Sequence, residues 1–81
     1  MNASPDLPPR AVLDWDAGEL GCGELLLELK IRFRDLAPGS LARIVTRDAG
    51  APVDLPAWCR LTGHRLERSE PPVYFIRTRE D

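Results

Sequence analysis

Apolar residues recur at helical spacing in two stretches of the chain and follow strand-like patterns in four others. In the longer helical stretch, from Gly23 to Leu36, they fall at intervals of three and four residues, which is typical of a helix that buries one face. The residues on this face are Leu26, Leu29, Phe33 and Leu36, and Leu25 widens it. Pro38-Gly39 is a turn signal that ends the helix.

A second, shorter helix is predicted before Gly63, a natural C-terminal cap. Asp54 is a good N-terminal cap and Pro56 suits the first turn, so this helix should run from there to Leu61 or Thr62. The side that we expect to be buried carries Leu55, Trp58, Cys59 and Thr62.

Four strands complete the pattern. The first is Ala11–Trp15, with Val12 and Leu13 expected in the core, and a loop of residues 16–21 follows it. The others are Leu41–Thr46, His64–Arg68 and Val73–Arg77. A strand that follows a helix suggests a parallel return, and the last two strands are close enough for an antiparallel hairpin. The order β-α-β-α-β-β predicts an α+β fold, a two-layer sandwich with two helices on one face of a four-stranded mixed sheet.

The length of the chain, 81 residues, allows one domain with one core. Residues 1–10 hold three prolines and few apolar groups, so we expect a disordered N-terminal tail. Residues 11–78 then form the single domain, and residues 79–81 form a frayed C-terminus.

The charge balance argues against a nucleic-acid-binding protein. The formal net charge is -2, whereas phosphate binding needs a basic face. The one basic cluster, Arg60, Arg65 and Arg68, is interleaved with Glu67 and Glu70, and we interpret it as a solvated surface. One histidine and two cysteines at this spacing do not form a metal-ligand pattern, so we expect neither a metal nor a cofactor.

Cysteine content and hydropathy bear on the compartment. Two cysteines are too few for a disulfide scaffold, and the start of the sequence lacks the basic region and apolar run of a signal peptide. No stretch is long enough for a transmembrane helix. We therefore expect a cytoplasmic protein without a membrane partner.

The candidate for chemistry is Cys22, between two glycines at the start of the longer helix. First-turn N–H groups lack intrahelical acceptors and the helix dipole is positive there, and both favour the thiolate, the reactive form of cysteine. Glu19 and Glu24 flank Cys22 and would oppose this effect if they lay close to it. Because a glycine-flanked residue is poorly placed for core packing, we prefer the catalytic interpretation to that of an inert small residue.

Structural roles are expected for the other candidates. Cys59 should belong to the core, where free cysteines are common. His64 could act as a proton partner, but we expect it to be structural. Arg47 and Asp48 are interpreted as a solvated loop, with a partner surface as the alternative. Trp15 would be an interface anchor if it faced outward.

Taken in order, these segments resemble the small sulfur-carrier family of TusA and SirA-like proteins. The resemblance begins with Val12-Leu13-Asp14, a glycine-bearing loop and Cys22, and continues with Leu36-Ala37-Pro38-Gly39-Ser40-Leu41 at the turn into the second strand. The segments that follow in the family's order are Asp48, Asp54-Leu55-Pro56-Ala57-Trp58-Cys59, Thr62-Gly63-His64 and Tyr74-Phe75-Ile76-Arg77.

This resemblance implies a carrier that holds sulfur as a persulfide on Cys22. A sulfur-donor protein, such as a cysteine desulfurase or a rhodanese-like protein, would load it, and a sulfur-acceptor protein would unload it. In the family such routes serve tRNA thiolation, molybdenum-cofactor chemistry or sulfur oxidation. The family's cysteine lies in a Cys-Pro-x-Pro motif, whereas here Gly23 and Leu25 occupy both proline positions. Because glycine costs more entropy to order than proline, we expect the helix start to fray or shift.

Two alternative functions stay open. Loss of both prolines favours a non-catalytic interaction or regulatory module that keeps the fold but has lost sulfur transfer. A nucleic-acid-binding module comes third, because the acidic charge balance disfavours it.

Overall fold

The computed structural model describes residues 11–80, and for Cys22 it describes the backbone only. The predicted tail of residues 1–10 lies outside the described residues, as does Asp81. The elements follow the predicted order and are β1 (Leu13–Gly18), α1 (Cys22–Arg34), β2 (Leu41–Thr46), α2 (Ala51–Thr62), β3 (Arg65–Glu70) and β4 (Val73–Arg77).

The four strands form one mixed sheet in the order β1-β2-β4-β3. β1 and β2 are parallel, as expected for a β-α-β unit, and β4 runs antiparallel to both of its neighbours. The predicted α+β two-layer sandwich, the parallel return and the hairpin are therefore confirmed. Because β1 and β2 are parallel and a helix follows each, both helices begin at the same edge of the sheet. No helix among residues 11–80 is long and apolar enough to cross a membrane.

One apolar core fills the space between the sheet and the two helices. Alternate residues of the central strands point into it, as the two-residue period of a strand requires. The buried members are Ala17, Leu25, Leu29, Phe33, Ala42, Ile44, Ala51, Leu55, Trp58, Cys59, Tyr74 and Ile76. The apolar face predicted for α1 is largely correct, with Leu26 and Leu36 half-buried at its margin.

The prediction for β1 was wrong at both ends. The strand begins two residues later than predicted and continues through residues 16–18, which were expected to form a loop. Val12 is 66% exposed and does not belong to the core, whereas Leu13 packs against it. The physical reason is the strand period, because two consecutive residues cannot both face the same side of a sheet.

The helix boundaries also differ from the predictions. α1 begins at Cys22 and ends at Arg34, so it is shorter at its C-terminal end than predicted. α2 begins three residues before Asp54, with Gly50 as its N-terminal cap, and Asp54 lies in its first turn. Pro56 is inside this helix and not in the first turn. A proline at the second position of α2, Pro52, suits a helix start and competes with the capping signal of Asp54.

The ends of the remaining elements are close to the predictions. β2 and β4 have the predicted bounds, and β3 begins after His64 and extends to Glu70. Gly63 caps α2 in the left-handed conformation at φ 85°, as predicted, and its N–H donates to Cys59 O at 2.9 Å.

Candidate functional site

Backbone hydrogen bonds hold together three connections at the edge of the sheet where α1 begins. Arg47 N–H donates to Gly18 O at 2.9 Å, which joins the β2–α2 connection to the end of β1. Thr46 N–H donates to Pro72 O at 2.9 Å, which joins the end of β2 to the β3–β4 turn. These hydrogen bonds fix the end of β1, from which the chain continues to α1.

The chain leaves β1 through a turn that needs glycine. Gly18 has φ 60°, a left-handed conformation that residues with a Cβ adopt at a steric cost. The Gly18 N–H donates to Asp16 Oδ1 at 2.8 Å, so an aspartate two residues back stabilises the turn. This turn redirects the chain from the strand toward the start of α1.

The first turn of α1 has unused hydrogen-bond donors. Gly21 is the N-terminal cap, in an extended conformation and without a side-chain cap, and Cys22 is the first helical residue. The first intrahelical bond runs from Leu25 N–H to Gly21 O at 2.8 Å. Among the described atoms, which do not include the Cys22 side chain, the N–H groups of Gly23 and Glu24 have no acceptor. The helix start has therefore not shifted away from Cys22, and it presents donors and the positive end of the dipole.

The backbone on both sides of Cys22 is open. A Cβ placed on Gly21 or Gly23 would meet no heavy atom of the described residues within 4 Å. Glu19 and Glu24, the two acidic neighbours noted in the sequence, are both exposed. A second molecule can therefore approach the chain at this helix start without displacing side chains from these two positions.

Leu25, at the second proline position of the family motif, is a core residue. Its side chain is completely buried, and its N–H makes the first bond of the helix. Proline has no N–H and a smaller side chain, so it could replace neither contribution. Leucine at this position thus has a structural reason in this chain.

The second cysteine differs chemically from a reactive one. Cys59 lies within α2 and is 4% exposed, which confirms its expected place in the core. Burial raises the pKa of its thiol to about 11, so at neutral pH it stays protonated and unreactive.

His64 lies at the opposite end of the molecule from Cys22. Its ring contacts Phe33 and Trp58, with centroid distances of 5.1 and 5.2 Å, and its Nδ1 accepts a hydrogen bond from the Arg79 N–H at 3.1 Å. Phe33 is eleven residues along α1 from Cys22, or about 16 Å at the rise of a helix. His64 therefore has a structural role here and is not a proton partner of Cys22.

The remaining candidates are Trp15, Arg47 and Asp48. Trp15 packs against the core, and the Arg32 guanidinium lies 4.0 Å from its ring centroid, so it is not an outward anchor. Arg32 also forms an ion pair with Glu28, which lies four residues earlier on α1. Asp48 Oδ2 accepts a hydrogen bond from Gly50 N–H at 3.1 Å, and Arg47 is exposed.

Metal chemistry has no assembled ligand set in the part of the chain that the structure describes. No three described His, Cys, Asp or Glu side chains are grouped so that they could hold an ion, and the Cys22 side chain is not among those described.

The sequence reasoning missed the contribution of Asp16 and Gly18 to the site. A detectable signal was present, because the carboxyl ends of two parallel strands share one edge of a sheet, and both connections must meet there. Taking the Asp-x-Gly spacing as a turn after a longer β1 would have identified the residues.

Comparison with known proteins identifies a family and relatives that match most of the chain. The family described as sulfurtransferase TusA matches residues 14–79. A sulfur carrier protein TusA of Pseudomonas paraeruginosa is 36% identical over 78 residues, which cover 91% of this chain and 96% of that protein. The sulfur carrier protein TusA of Pseudomonas aeruginosa is 36% identical over 70 residues, with 82% and 89% covered. That of Pseudomonas putida is 34% identical over 80 residues, with 94% and 98% covered. The chain therefore belongs to the TusA family.

Proposed function

We propose that this protein is a sulfur carrier that holds sulfane sulfur as a persulfide on Cys22. The observation that supports this most is the position of Cys22 as the first residue of α1, in a family whose relatives are named sulfur carriers. The unused N–H groups of Gly23 and Glu24 lie in the same helical turn, where a thiolate or a persulfide anion is stabilised.

The proposed loading step is a thiol exchange without net oxidation. The Cys22 thiolate attacks the outer sulfur of a donor cysteine persulfide, an S–S bond forms on Cys22, and the donor's S–S bond breaks. The donor leaves as a thiolate, and the carrier holds the persulfide. Unloading repeats the step with an acceptor thiolate as the nucleophile, which returns Cys22 to the thiolate.

Two protein partners follow from this chemistry. The donor is a cysteine desulfurase or a rhodanese-like protein, and the acceptor is a protein with a reactive thiol, in a route such as tRNA thiolation. We place the exchange in the cytoplasm, where a reducing environment keeps a free thiol available. The open backbone at Gly21 and Gly23 supports the approach of both partners to one site.

Loading tests the proposal directly. The wild type, Cys22→Ser and Cys59→Ala are each incubated with a cysteine desulfurase and cysteine, and the intact mass is measured. The wild type and Cys59→Ala should gain one sulfur atom that a reductant removes, because the buried Cys59 thiol does not react. Equal gain on Cys22→Ser, or no gain on the wild type, would show that Cys22 is not the carrier residue.

A non-catalytic interaction module is the alternative, and the missing prolines at Gly23 and Leu25 favour it. The rate of Cys22 alkylation against pH separates the two functions. For a carrier, the pKa of the Cys22 thiol obtained in this way should be clearly below about 8.5, the reference value for cysteine. For a site that has lost sulfur transfer, it should be close to that reference value. The core position of Leu25 weakens the alternative, since packing accounts for one of the two missing prolines and a change of function is not needed to explain it.

A further inference from the structure

Four large apolar side chains lie on the outer side of the helical layer. They are between 45% and 87% exposed, and they are Leu27 and Ile31 of α1 and Val53 and Leu61 of α2. Leu27 and Ile31 are about one helical turn apart, and Val53 and Leu61 are about two turns apart with Ala57 between them. These residues form a stripe along the outside of each helix, whereas exposed apolar residues on a monomer are usually scattered singly.

The core does not account for these stripes, because other residues fill the inner side of each helix. Leu25, Leu29 and Phe33 of α1 are buried in the core, as are Leu55 and Cys59 of α2. Apolar surface that stays in water is unfavourable, and its burial against a second surface is a gain in free energy.

Charge follows the same order on both helices. Each helix has an acidic residue in its first turn and a basic residue in its last turn, the order that the helix dipole favours. Because both helices begin at the same edge of the sheet, their acidic ends lie together and so do their basic ends. On α1 the two ends carry Glu24 and Arg34, and both are exposed. A layer with this distribution is complementary in charge to a copy of itself turned end to end.

We propose that the helical layer docks a second copy of this chain, face to face and antiparallel about a two-fold axis. The axis crosses α1 at the level of Leu29. Leu27 of one copy then meets Ile31 of the other, since both lie two residues from that level. Glu24 likewise meets Arg34, since both lie five residues from it. One axis therefore pairs the apolar residues and the opposite charges of α1 together, as a self-complementary interface requires.

On α2 the same axis crosses at the level of Ala57, and Val53 of one copy meets Leu61 of the other. A small residue at the crossing lets the helices approach closely. The helices have 13 and 12 residues and are about 20 and 18 Å long, so two copies would bury about 1,000 Å² in total, the low end for specific interfaces. The dimer therefore forms and dissociates with concentration, and it needs no sulfur chemistry.

Sedimentation velocity of the full chain tests the proposal, with a reductant present so that an intermolecular disulfide does not contribute. We expect the mean mass to rise from monomer toward dimer between about 10 μM and about 1 mM. Leu61→Glu should weaken association about tenfold or more, because it places a charge in an apolar interface. Val12→Glu is the matched control. Val12 is also exposed but precedes β1 in the other layer, so this variant should change the dissociation constant less than about twofold.

Charge reversal tests the antiparallel arrangement. Glu24→Arg should weaken association about threefold, because Arg34 of the other copy then meets a like charge. Combining it with Arg34→Glu restores opposite charges and should return the dissociation constant to within about twofold of the wild type. Circular dichroism shows whether each variant is folded. If the folded double variant associates no more tightly than Glu24→Arg alone, the proposed pairing is wrong.

Methyl contacts between an isotope-labelled and an unlabelled copy locate the interface. Val53 and Leu61 are about 12 Å apart along α2, so a nuclear Overhauser effect between them arises between copies. We expect this effect from Val53 to Leu61 and not from Val53 to Val53. The proposal is wrong if the chain stays monomeric at about 1 mM, if Leu61→Glu and Val12→Glu weaken association equally, or if the Leu61 signals shift only when a cysteine desulfurase is added.

Discussion

The two helices begin at the same edge of the sheet, yet their first turns are built in opposite ways. In α2, Ala51 N–H donates to Asp48 O, Pro52 has no N–H, and Val53 and Asp54 both donate to Gly50 O. Every first-turn donor of α2 is therefore used or missing. In α1, the N–H groups of Gly23 and Glu24 have no acceptor in the part of the chain that is described, from which the Cys22 side chain is excluded.

The two helix starts also differ in nearby charge and in the space around the backbone. A Cβ on Gly50, at the start of α2, would lie 2.9 Å from Asp54 Oδ2 and 3.2 Å from Asp48 Oδ2. Two carboxylates thus crowd the positive end of the α2 dipole and offset it. The corresponding positions around Cys22 are open. The comparison shows that one helix start is closed by the protein itself, whereas the other is available to an external anion or to a thiolate.

Each helix also carries one cysteine, at positions that suit opposite chemistry. Cys22 is the first residue of α1, and Cys59 is the ninth residue of α2 and buried. A helix start favours the thiolate, whereas burial disfavours it. Burial thus explains why Cys59 stays protonated, and the role proposed for Cys22 depends on its place at a helix start.

The largest expected effect comes from placing proline at residue 25, the second proline position of the family motif. Leu25→Pro should destabilise the protein by about 5 kcal/mol, because a buried leucine is lost and the helix loses the bond from Leu25 N–H to Gly21 O. Urea unfolding followed by circular dichroism measures the loss. Leu25→Ala keeps the N–H and should lose about 2–3 kcal/mol. Wild-type stability of Leu25→Pro would show that α1 can begin without either contribution.

The second effect tests the buried cysteine through pH. The pKa of Cys59 rises from 9.0 to about 11 on folding, so the unfolded thiol ionises first as the pH increases. This group should therefore stabilise the fold fully below about pH 9 and lose about 2 kcal/mol of that contribution by about pH 11. Urea unfolding at about pH 8 and about pH 11 gives the change.

The control for this test is Cys59→Ala, because burial also raises the pKa of Tyr74 and acts in the same direction. The variant should be less stable than the wild type at about pH 8, since it leaves a small cavity. It should then lose about 2 kcal/mol less than the wild type over the interval. Parallel curves for the two proteins would mean that Cys59 is not protected by burial.

The local sequence pattern predicted the bounds of β2 and β4 better than those of β1. β2 and β4 are short runs of β-branched and aromatic residues, and their bounds agree with the prediction. The end of β1 was missed because Asp16-Ala17-Gly18 has loop-forming composition, while pairing of Gly18 with Thr46 of β2 draws it into the sheet. Tertiary pairing therefore overrode local preference there.

The candidate site could be predicted only in part, because some of its features depend on local sequence and others on tertiary contacts. Cys22 at a helix start follows from the glycines and the helical period around it. Which donors are used depends on contacts between distant segments, such as Arg47 N–H with Gly18 O, and local spacing does not report these. The contacts around His64 are also invisible to local spacing, because Arg79 meets His64 and Thr62 across 15 and 17 residues of sequence.

A third, smaller effect compares the two cap glycines. Gly50→Ala should cost about 1 kcal/mol more than Gly21→Ala, because its Cβ displaces the carboxylates of Asp48 and Asp54, and Asp48 bonds the Gly50 N–H. Both glycines are N-terminal caps with negative φ, so neither substitution places a Cβ in the left-handed region. Thermal unfolding of the two variants gives the difference. Equal stabilities would contradict the crowding of the α2 start.

The smallest expected effect sharpens the comparison most directly, because it copies a feature of the closed start into the open one. α2 has proline at its second residue, Pro52, and Gly23 is the second residue of α1. Gly23→Pro removes an N–H that has no acceptor among the described atoms, and a Cβ at Gly23 would meet none of these atoms within 4 Å. Nothing in the folded state is lost, and the unfolded chain loses conformational freedom.

Gly23→Pro should therefore stabilise the protein by about 0.4–1 kcal/mol, measured by urea unfolding. Gly23→Ala is the control, since it adds a Cβ and helix propensity but keeps the N–H. A gain with both variants would show that the start of α1 is ordered as in α2 and merely uncapped. Destabilisation by proline together with a gain from alanine would show instead that the Gly23 N–H has a partner in solution, which is the outcome that a bound anion or the Cys22 thiolate would produce.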